Sequence, residues 1–230
     1  MTNTPNAIML FAAGFGTRMG ALTRDRPKPL IEVEGVALVD HALALAKDIA
    51  PASIVVNTHY HADQMARHLE PQGVTLSQEH PDILDTGGGL RAALPLLGDG
   101  PVFTMNTDAI WSGPNPLRLL SAAWDPAQMD ALLMCVPTAS ALDHAGPGDF
   151  TMDPKGRLNR GPGLVYGGAQ IIKTEGLAEI PELAFSLNRL WDAMERNGRL
   201  FGLSYPGTWC DVGHPGGIRT AEALLGGDHV

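Results

Sequence analysis

Near the N-terminus an apolar run, Ala7–Phe11, gives way to the loop Ala12-Ala13-Gly14-Phe15-Gly16-Thr17-Arg18 and then to Pro27-Lys28-Pro29. Glycine lets backbone N–H groups approach phosphate oxygens with no Cβ in the way, while guanidinium and ammonium groups supply the charge a polyphosphate needs. Gly14, Gly16, Arg18 and Lys28 therefore point to capture of a nucleoside triphosphate. Two other phosphate loops compete. A Walker loop needs a Lys-Ser/Thr pair after its last glycine, and none is present here. A dinucleotide fingerprint needs its third glycine where Met19 stands, and Gly20 comes one residue late. A turn that binds nothing would require neither Arg18 nor the Pro-Lys28-Pro clamp.

A second pattern suggests different chemistry. Thr58-His59-Tyr60-His61-Ala62-Asp63-Gln64 nearly spells the His-x-His-x-Asp-His signature of two-metal hydrolases, whose histidines bind zinc. Gln64 replaces the last histidine. His41, His68, His80, His144, His214 and His229 supply no matching later ligands. The plainer reading is a strand that ends before a helix starting at His61 or Ala62.

The elements that must position these residues alternate. Ala7–Phe11, Ser53–Asn57, Val74–Ser77, Val102–Met105 and Ala131–Val136 read as strands. Leu38–Ile49, Ala62–Leu69, Gly88–Leu97 and Pro116–Trp124 read as helices between them. The segment from Ala12 to Pro29 reads as loop. Such alternation predicts an α/β fold, a Rossmann-like mixed, mainly parallel sheet flanked by helices, with ligands at the carboxyl ends of the strands. After Pro137 the pattern changes. Gly163–Ile172 reads as part of an antiparallel extension, and Leu187–Asn197 and His214–Leu225 as the last helices. No repeat or linker divides the chain. The expectation is one domain over residues 1–230, with a nucleotide-type first half (1–136) and an elaborated second half (137–230).

Composition narrows the function classes. The 230 residues are 44% hydrophobic and 18% charged, with a net charge of −9. That charge repels polynucleotide backbones, so a nucleic acid is not an expected partner. No segment approaches the ~20 apolar residues that span a bilayer, and Ala7–Ala13 lacks the basic leader of a signal peptide. Cys135 and Cys210 are too few for a disulfide framework. Cytoplasmic localisation is expected, and oligomeric state is not legible.

With Arg18 followed by Pro27-Lys28-Pro29-Leu30, the opening loop resembles the signature of the sugar-phosphate nucleotidyltransferases. The resemblance continues through Leu84-Asp85-Thr86-Gly87-Gly88-Gly89, Asn106-Thr107-Asp108, Gly148-Asp149-Phe150 and Trp209-Cys210-Asp211-Val212-Gly213. Within that family, the triple glycine followed by Ala93-Leu94-Pro95-Leu96-Leu97-Gly98-Asp99 is most similar to bacterial uridylyltransferases of N-acetylmuramate 1-phosphate, which serve cell-wall sugar recycling. The resemblance implies the nucleotide-diphospho-sugar transferase fold and transfer of a nucleotidyl group from an NTP, UTP above all, to a sugar 1-phosphate. Mannose or glucose 1-phosphate guanylyl- or thymidylyltransfer is the alternative, and a non-catalytic nucleotide-binding module a further one.

The family pattern also implies roles. A lone aspartate after a strand is more often a turn or helix cap, yet Asp108 and Asp211 match the family's Mg²⁺ ligands. Arg18 and Lys28 become the catalytic cations. Ala12, Ala13, Gly14, Gly16, Thr17, Glu79, Thr86, Gly87 and Gly88 become the nucleotide site, the glycines donating N–H groups at the start of a helix near Leu90. Asn106, Asp149 and Gly168 become the sugar site, and Asp211 falls in a turn-like segment. Three departures stand out: Phe11 for Leu, Gly20-Ala21 for Arg-Pro, and Thr107 for a small residue before the metal aspartate. The long C-terminal extension of bifunctional relatives is absent from this sequence, so no acetyltransferase activity is expected.

Overall fold

The computed structural model describes residues 3–227. Its strands are β1 (Ala7–Phe11), β2 (Glu32–Val33), β3 (Val36–Ala37), β4 (Ser53–Thr58), β5 (Thr75–Gln78), β6 (Val102–Asn106) and β7 (Ala109–Ser112). They continue with β8 (Ala131–Pro137), β9 (Ala141–Leu142), β10 (Phe150–Met152), β11 (Leu158–Arg160), β12 (Leu164–Ile172), β13 (Leu200–Ser204) and β14 (Thr208–Asp211). The helices are α1 (Leu38–Asp48), α2 (Ala62–Leu69), α3 (Asp85–Leu97), α4 (Pro116–Ala123), α5 (Asn188–Arg196) and α6 (Pro215–Gly227).

β1 lies inside the main sheet, parallel to β4 on one side and β6 on the other, with β5 parallel to β4 beyond. β1 is apolar throughout because both of its faces are covered. Ile8 and Leu10 pack with Val39, Leu43, Met65 and Leu117 of α1, α2 and α4. Met9, pointing the other way, packs with Leu90 and Ala93 of α3 and with Leu190 and Met194 of α5. Each such fully buried side chain contributes roughly 1.5–3 kcal/mol. The expected α/β sheet with helices on both faces is thus present, and its parallel strands end on the side where the glycine loop begins.

The second half extends the sheet as the sequence suggests. β12 runs antiparallel to β6 and β8, and β13 closes that side parallel to β8. One detail creates a site. β12 pairs with β6 only from Ala169↔Met105 to Ile172↔Val102, and its earlier residue Leu164 pairs instead with Phe150 of β10. Between the two contacts β12 is irregular, with a register shift between Tyr166 and Gln170. The sheet is notched there, with Asn106 at one lip and Asp149-Phe150 at the other.

Two expectations change. The triple glycine lies inside the first turns of α3 instead of preceding it. Glycine is a poor helix former, but packing overrides propensity here. A Cβ at Gly88 would run into the Leu183 carbonyl, and one at Gly89 into the Glu79 carboxylate. Asp211 lies on β14, not in a turn, because β14 is hydrogen-bonded on both edges, to β7 and to β9. β13 and the short strands β7, β9, β10 and β11 also escape the sequence pattern; most of them are too short to show a period.

Candidate functional site

The loop after β1 is folded tightly on itself. Gly16 has φ +64°, and a Cβ there would lie 2.8 Å from Lys28 Cβ and 2.9 Å from Thr23 Cγ2. Only glycine combines that conformation with that approach. The Gly16 carbonyl accepts from Met19 N–H at 2.9 Å and from Thr23 Oγ1 at 3.0 Å. The start of α2 holds the far side of the loop. Tyr60 Oη donates to the Thr23 carbonyl at 2.9 Å and Gln64 Nε2 to the Asp25 carbonyl at 2.9 Å. Thr107 Oγ1 donates to the Phe11 carbonyl at 2.8 Å, so this departure from the family pattern ties the end of β1 to the turn after β6.

Four charged groups converge at the mouth of this loop. Lys28 Nζ donates to Asp108 Oδ2 at 2.7 Å, with the lysine side chain only 10% exposed and the aspartate 36%. The β7–β14 register sets Asp211 opposite Ala109, next to Asp108, and Val212 N–H donates to the Asp108 carbonyl at 2.9 Å. Arg18 Nη1 lies 3.9 Å from Asp211 Oδ2. Burial raises the Asp211 carboxyl above the ordinary carboxylate range, and the neighbouring Asp108 charge raises it further. Lys28, Arg18 and His144 act in the opposite direction.

Two cavities of about 330 Å³ each adjoin here. The first is lined by Ala12, Ala13, Gly14, Gly16, Thr17, Arg18 and Lys28 from the loop, and by Glu79, Thr86, Asn106 and Asp108 across from it. The second occupies the sheet notch and is lined by Asp149, Arg160, Tyr166, Asn188 and Trp191. Phe11, Asp85, Thr86 and Asn106 belong to both walls, so the cavities share a boundary. Gly213, which also lines the first cavity, lies against Asp211.

Four of the expected residues line neither cavity. Asp211 lies just behind Gly213 at the edge of the first. Gly87 and Gly88 both donate their N–H groups to the Phe185 carbonyl, at 2.8 and 3.1 Å, which occupies the helix N-terminus that the sequence suggested was open. Gly168, with φ +90°, instead lets Asn106 pack against its Cα side; a Cβ there would lie 2.9 Å from Asn106 Nδ2.

Asn57 is the residue the sequence reading missed. It is the penultimate residue of β4, opposite Phe11, and its Oδ1 accepts from Ala12 N–H at 2.7 Å. Asn57 Nδ2 donates to Glu79 Oε1 at 2.7 Å, and Glu79 Oε2 accepts from Leu84 N–H at 2.7 Å. This buried chain fixes the first loop residue relative to the segment leading into α3. The signal available in sequence was one polar residue closing an apolar strand.

The chemistry of the donors fits a hard divalent cation. Asp108 and Asp211 offer only carboxylate oxygens, close enough for one charge to oppose the other, and Mg²⁺ prefers one or two such ligands supplemented by phosphate oxygens and water. Among the described residues, no group of three or more His, Cys, Asp or Glu could hold a metal by itself. The hydrolase pattern dissolves accordingly: His59 Nδ1 bonds the Glu79 carbonyl and His61 Nε2 the Arg24 carbonyl, while His229 lies outside the described residues. No described helix is long and apolar enough to cross a membrane.

Comparison with known proteins agrees with this geometry. The model of the MobA-like NTP transferase domain matches residues 8–150. The N-acetylmuramate alpha-1-phosphate uridylyltransferase of Caulobacter vibrioides is 41% identical, covering 98% of this chain and 99% of its own. The enzyme of the same name from Neisseria meningitidis serogroup B is 32% identical, covering 95% and 97%. HddC from Yersinia pseudotuberculosis, complexed with GMP-PN, superimposes with a TM-score of 0.78 at 18% identity, over 96% of this chain and 99% of that one. A UDP-glucose pyrophosphorylase complexed with UDP-glucose gives 0.76 at 14% identity, over 98% and 100%. At these identities the structural likeness speaks for the fold alone. Together the family match and the full-length relatives show that this chain belongs to the MobA-like NTP transferases and is a sugar 1-phosphate nucleotidyltransferase.

Proposed function

We propose that this enzyme transfers the uridylyl group of UTP to N-acetylmuramate 1-phosphate, releasing pyrophosphate. The observation that carries the reading is the shared wall of the two cavities, with Lys28 and Asp108 lining the first close to that wall. The names of the two full-length relatives support the choice of base and sugar.

The nucleotide occupies the first cavity, against Ala12, Ala13, Gly14, Gly16, Thr17 and Thr86. Glu79 acts through Asn57 and Ala12, and Gly87 and Gly88 support this wall from behind by closing α3 against Phe185. The sugar occupies the second cavity beside Asn106 and Asp149, whose Oδ2 is already oriented by Tyr166 N–H at 2.8 Å. Gly168 acts by seating Asn106. Residues 1–136 supply most of the nucleotide site and residues 137–230 most of the sugar site, within one domain.

The acceptor phosphate is ionised at neutral pH, so its oxygen attacks the α-phosphorus in line without a general base. Catalysis is then positioning and charge stabilisation. Arg18, with its side chain 68% exposed at the loop mouth, grips the departing β- and γ-phosphates. Lys28, held by Asp108, faces the gap between the two anions and offsets their repulsion. Asp108 and Asp211 would hold Mg²⁺, which when bound neutralises phosphate charge at the reacting centre. Two buried, unpaired cysteines support a reducing compartment, so we place the reaction in the cytoplasm, in cell-wall sugar recycling.

The test is pyrophosphate release with Mg²⁺, each NTP and a panel of sugar 1-phosphates. UTP with N-acetylmuramate 1-phosphate should give the highest kcat/KM. A different preferred pair would overturn the substrate assignment, and undiminished release by Asp108→Ala would overturn the metal assignment.

A further inference from the structure

The sugar cavity contains one basic side chain, Arg160 at the end of β11. Its guanidinium lies over two aromatic faces, 4.7 Å from the Phe150 ring centroid and 5.6 Å from that of Trp191. Its edge is fixed by α5: Nε and Nη2 donate to Asp192 Oδ1 at 3.2 and 2.9 Å, and Nη2 donates also to Asn188 Oδ1 at 2.8 Å. A guanidinium has five N–H donors in a planar fork. Those bonds use the Nε hydrogen and both Nη2 hydrogens, leaving the Nη1 pair without a hydrogen bond among the described residues. The side chain is 36% exposed. Arg160 is therefore a rigid, stacked, incompletely satisfied cation in the wall of an otherwise neutral and acidic cavity.

Most sugar 1-phosphates carry charge only on phosphate, and Arg18 and Lys28 already provide for phosphate in the adjoining cavity. A cation held apart from them suits a second anionic group on the sugar. N-acetylmuramate has one: its lactyl ether ends in a carboxylate that N-acetylglucosamine lacks. A planar carboxylate matches the guanidinium fork, and a preorganised arginine loses little rotamer freedom on binding.

We propose that Arg160 is the carboxylate-recognising residue of the sugar cavity and selects N-acetylmuramate 1-phosphate over N-acetylglucosamine 1-phosphate. The inference rests on the substrate assignment above. Asp192 and Asn188 are positioning residues that aim the guanidinium, and Phe150 and Trp191 hold its plane.

The experiment measures kcat and KM of wild type, Arg160→Met and Arg160→Lys with both sugar 1-phosphates at saturating UTP, together with UTP affinity by calorimetry. Methionine keeps an unbranched apolar stem over the two rings and removes the donors. Arg160→Met should raise KM for N-acetylmuramate 1-phosphate roughly 10- to 100-fold while KM for N-acetylglucosamine 1-phosphate and UTP affinity stay within about twofold. Arg160→Lys should fall between, since it restores charge without the fork. Wild-type selectivity that persists in Arg160→Met overturns the role of Arg160 alone. An equal loss on both sugars, or weakened UTP binding, shows a structural role and also overturns it. A wild type that does not prefer N-acetylmuramate 1-phosphate overturns the substrate assignment as well.

Discussion

Lys28 Nζ donates to Asp108 Oδ2 at 2.7 Å, joining the loop after β1 to the turn after β6 across a sequence separation of 80. The bond fixes an ammonium group in the wall of the first cavity and, among the described residues, leaves Asp108 Oδ1 without a hydrogen bond. Lys28→Met should lower kcat by about 10²- to 10³-fold, the range for loss of one preorganised charge-stabilising donor. Lys28→Arg should recover little, because a planar fork does not place a point charge where the ammonium group meets Asp108 Oδ2. Pyrophosphate release at saturating substrates checks both variants; an unchanged kcat would remove Lys28 from the reaction.

Among the described residues, Asn57 is the hydrogen-bond partner of the Ala12 N–H and one of the two partners of the Glu79 carboxylate. Asn57→Ala strands a buried donor and a buried carboxylate oxygen. The expected destabilisation is about 1–3 kcal/mol by urea unfolding, with a raised KM for the nucleotide. KM for the sugar 1-phosphate should change less, since Asn57 lines only the first cavity.

Gly87 offers a test in which two effects have opposite signs. In an exposed helix, replacing glycine by alanine stabilises by about 1 kcal/mol. Here a Cβ would collide with the Phe185 ring and lie 2.9 Å from the Phe185 carbonyl oxygen, which is the acceptor for the Gly87 N–H. Overpacking against a fixed neighbour costs about 1–3 kcal/mol. Gly87→Ala should therefore destabilise, and a variant more stable than wild type in chemical denaturation would show that the segment at Phe185 yields easily.

The thiols predict an alkaline effect. Burial pushes both Cys135 and Cys210 up from 9.0 to about 12, with nearby Asp149 acting on Cys135 and Asp143 and Asp211 on Cys210. The native state thus favours the protonated thiol. Stability from this preference is complete below the unfolded value near 9 and is lost as pH rises through 9 toward 12. At pH 8 the folded protein should resist maleimide at both positions, and unfolded protein should react at both; fast labelling of the native state would contradict the burial.

The nucleotide half was the more legible part of the molecule for a physical reason. Parallel strands covered on both faces read as unbroken apolar runs, which is how Ala7–Phe11 and Val102–Met105 announce themselves. Arg18, Lys28 and Asp108 are legible by type and by their place after such strands. Asn57 was hidden, because its role exists only through the β1–β4 register that sets it opposite Phe11. Gly87 and Gly88 were misplaced since local propensity resists helix there, while contacts with Phe185 and Leu183, about a hundred residues away, impose it. Arg160 carries no local signal at all; its meaning comes from Phe150, Trp191 and Asp192 being gathered around it.

Gly213 connects the two ends of this arrangement and gives the sharpest separation of stability from function. A Cβ at that position would lie 2.8 Å from Asp211 Oδ2 and 2.9 Å from Arg18 Nη1. Arg18 is a long, exposed side chain and can swing aside at little cost, but Asp211 is short and held on β14. The added methyl would therefore move the arginine first and then crowd the carboxylate that we assign to Mg²⁺. Gly213→Ala should unfold within about 1 kcal/mol of wild type, because the displaced group is solvent-accessible. Its turnover should nonetheless fall at least tenfold, with a higher Mg²⁺ concentration needed for half-maximal rate. A variant whose Mg²⁺ dependence matches wild type would show that Asp211 and Arg18 do not act together at the loop mouth.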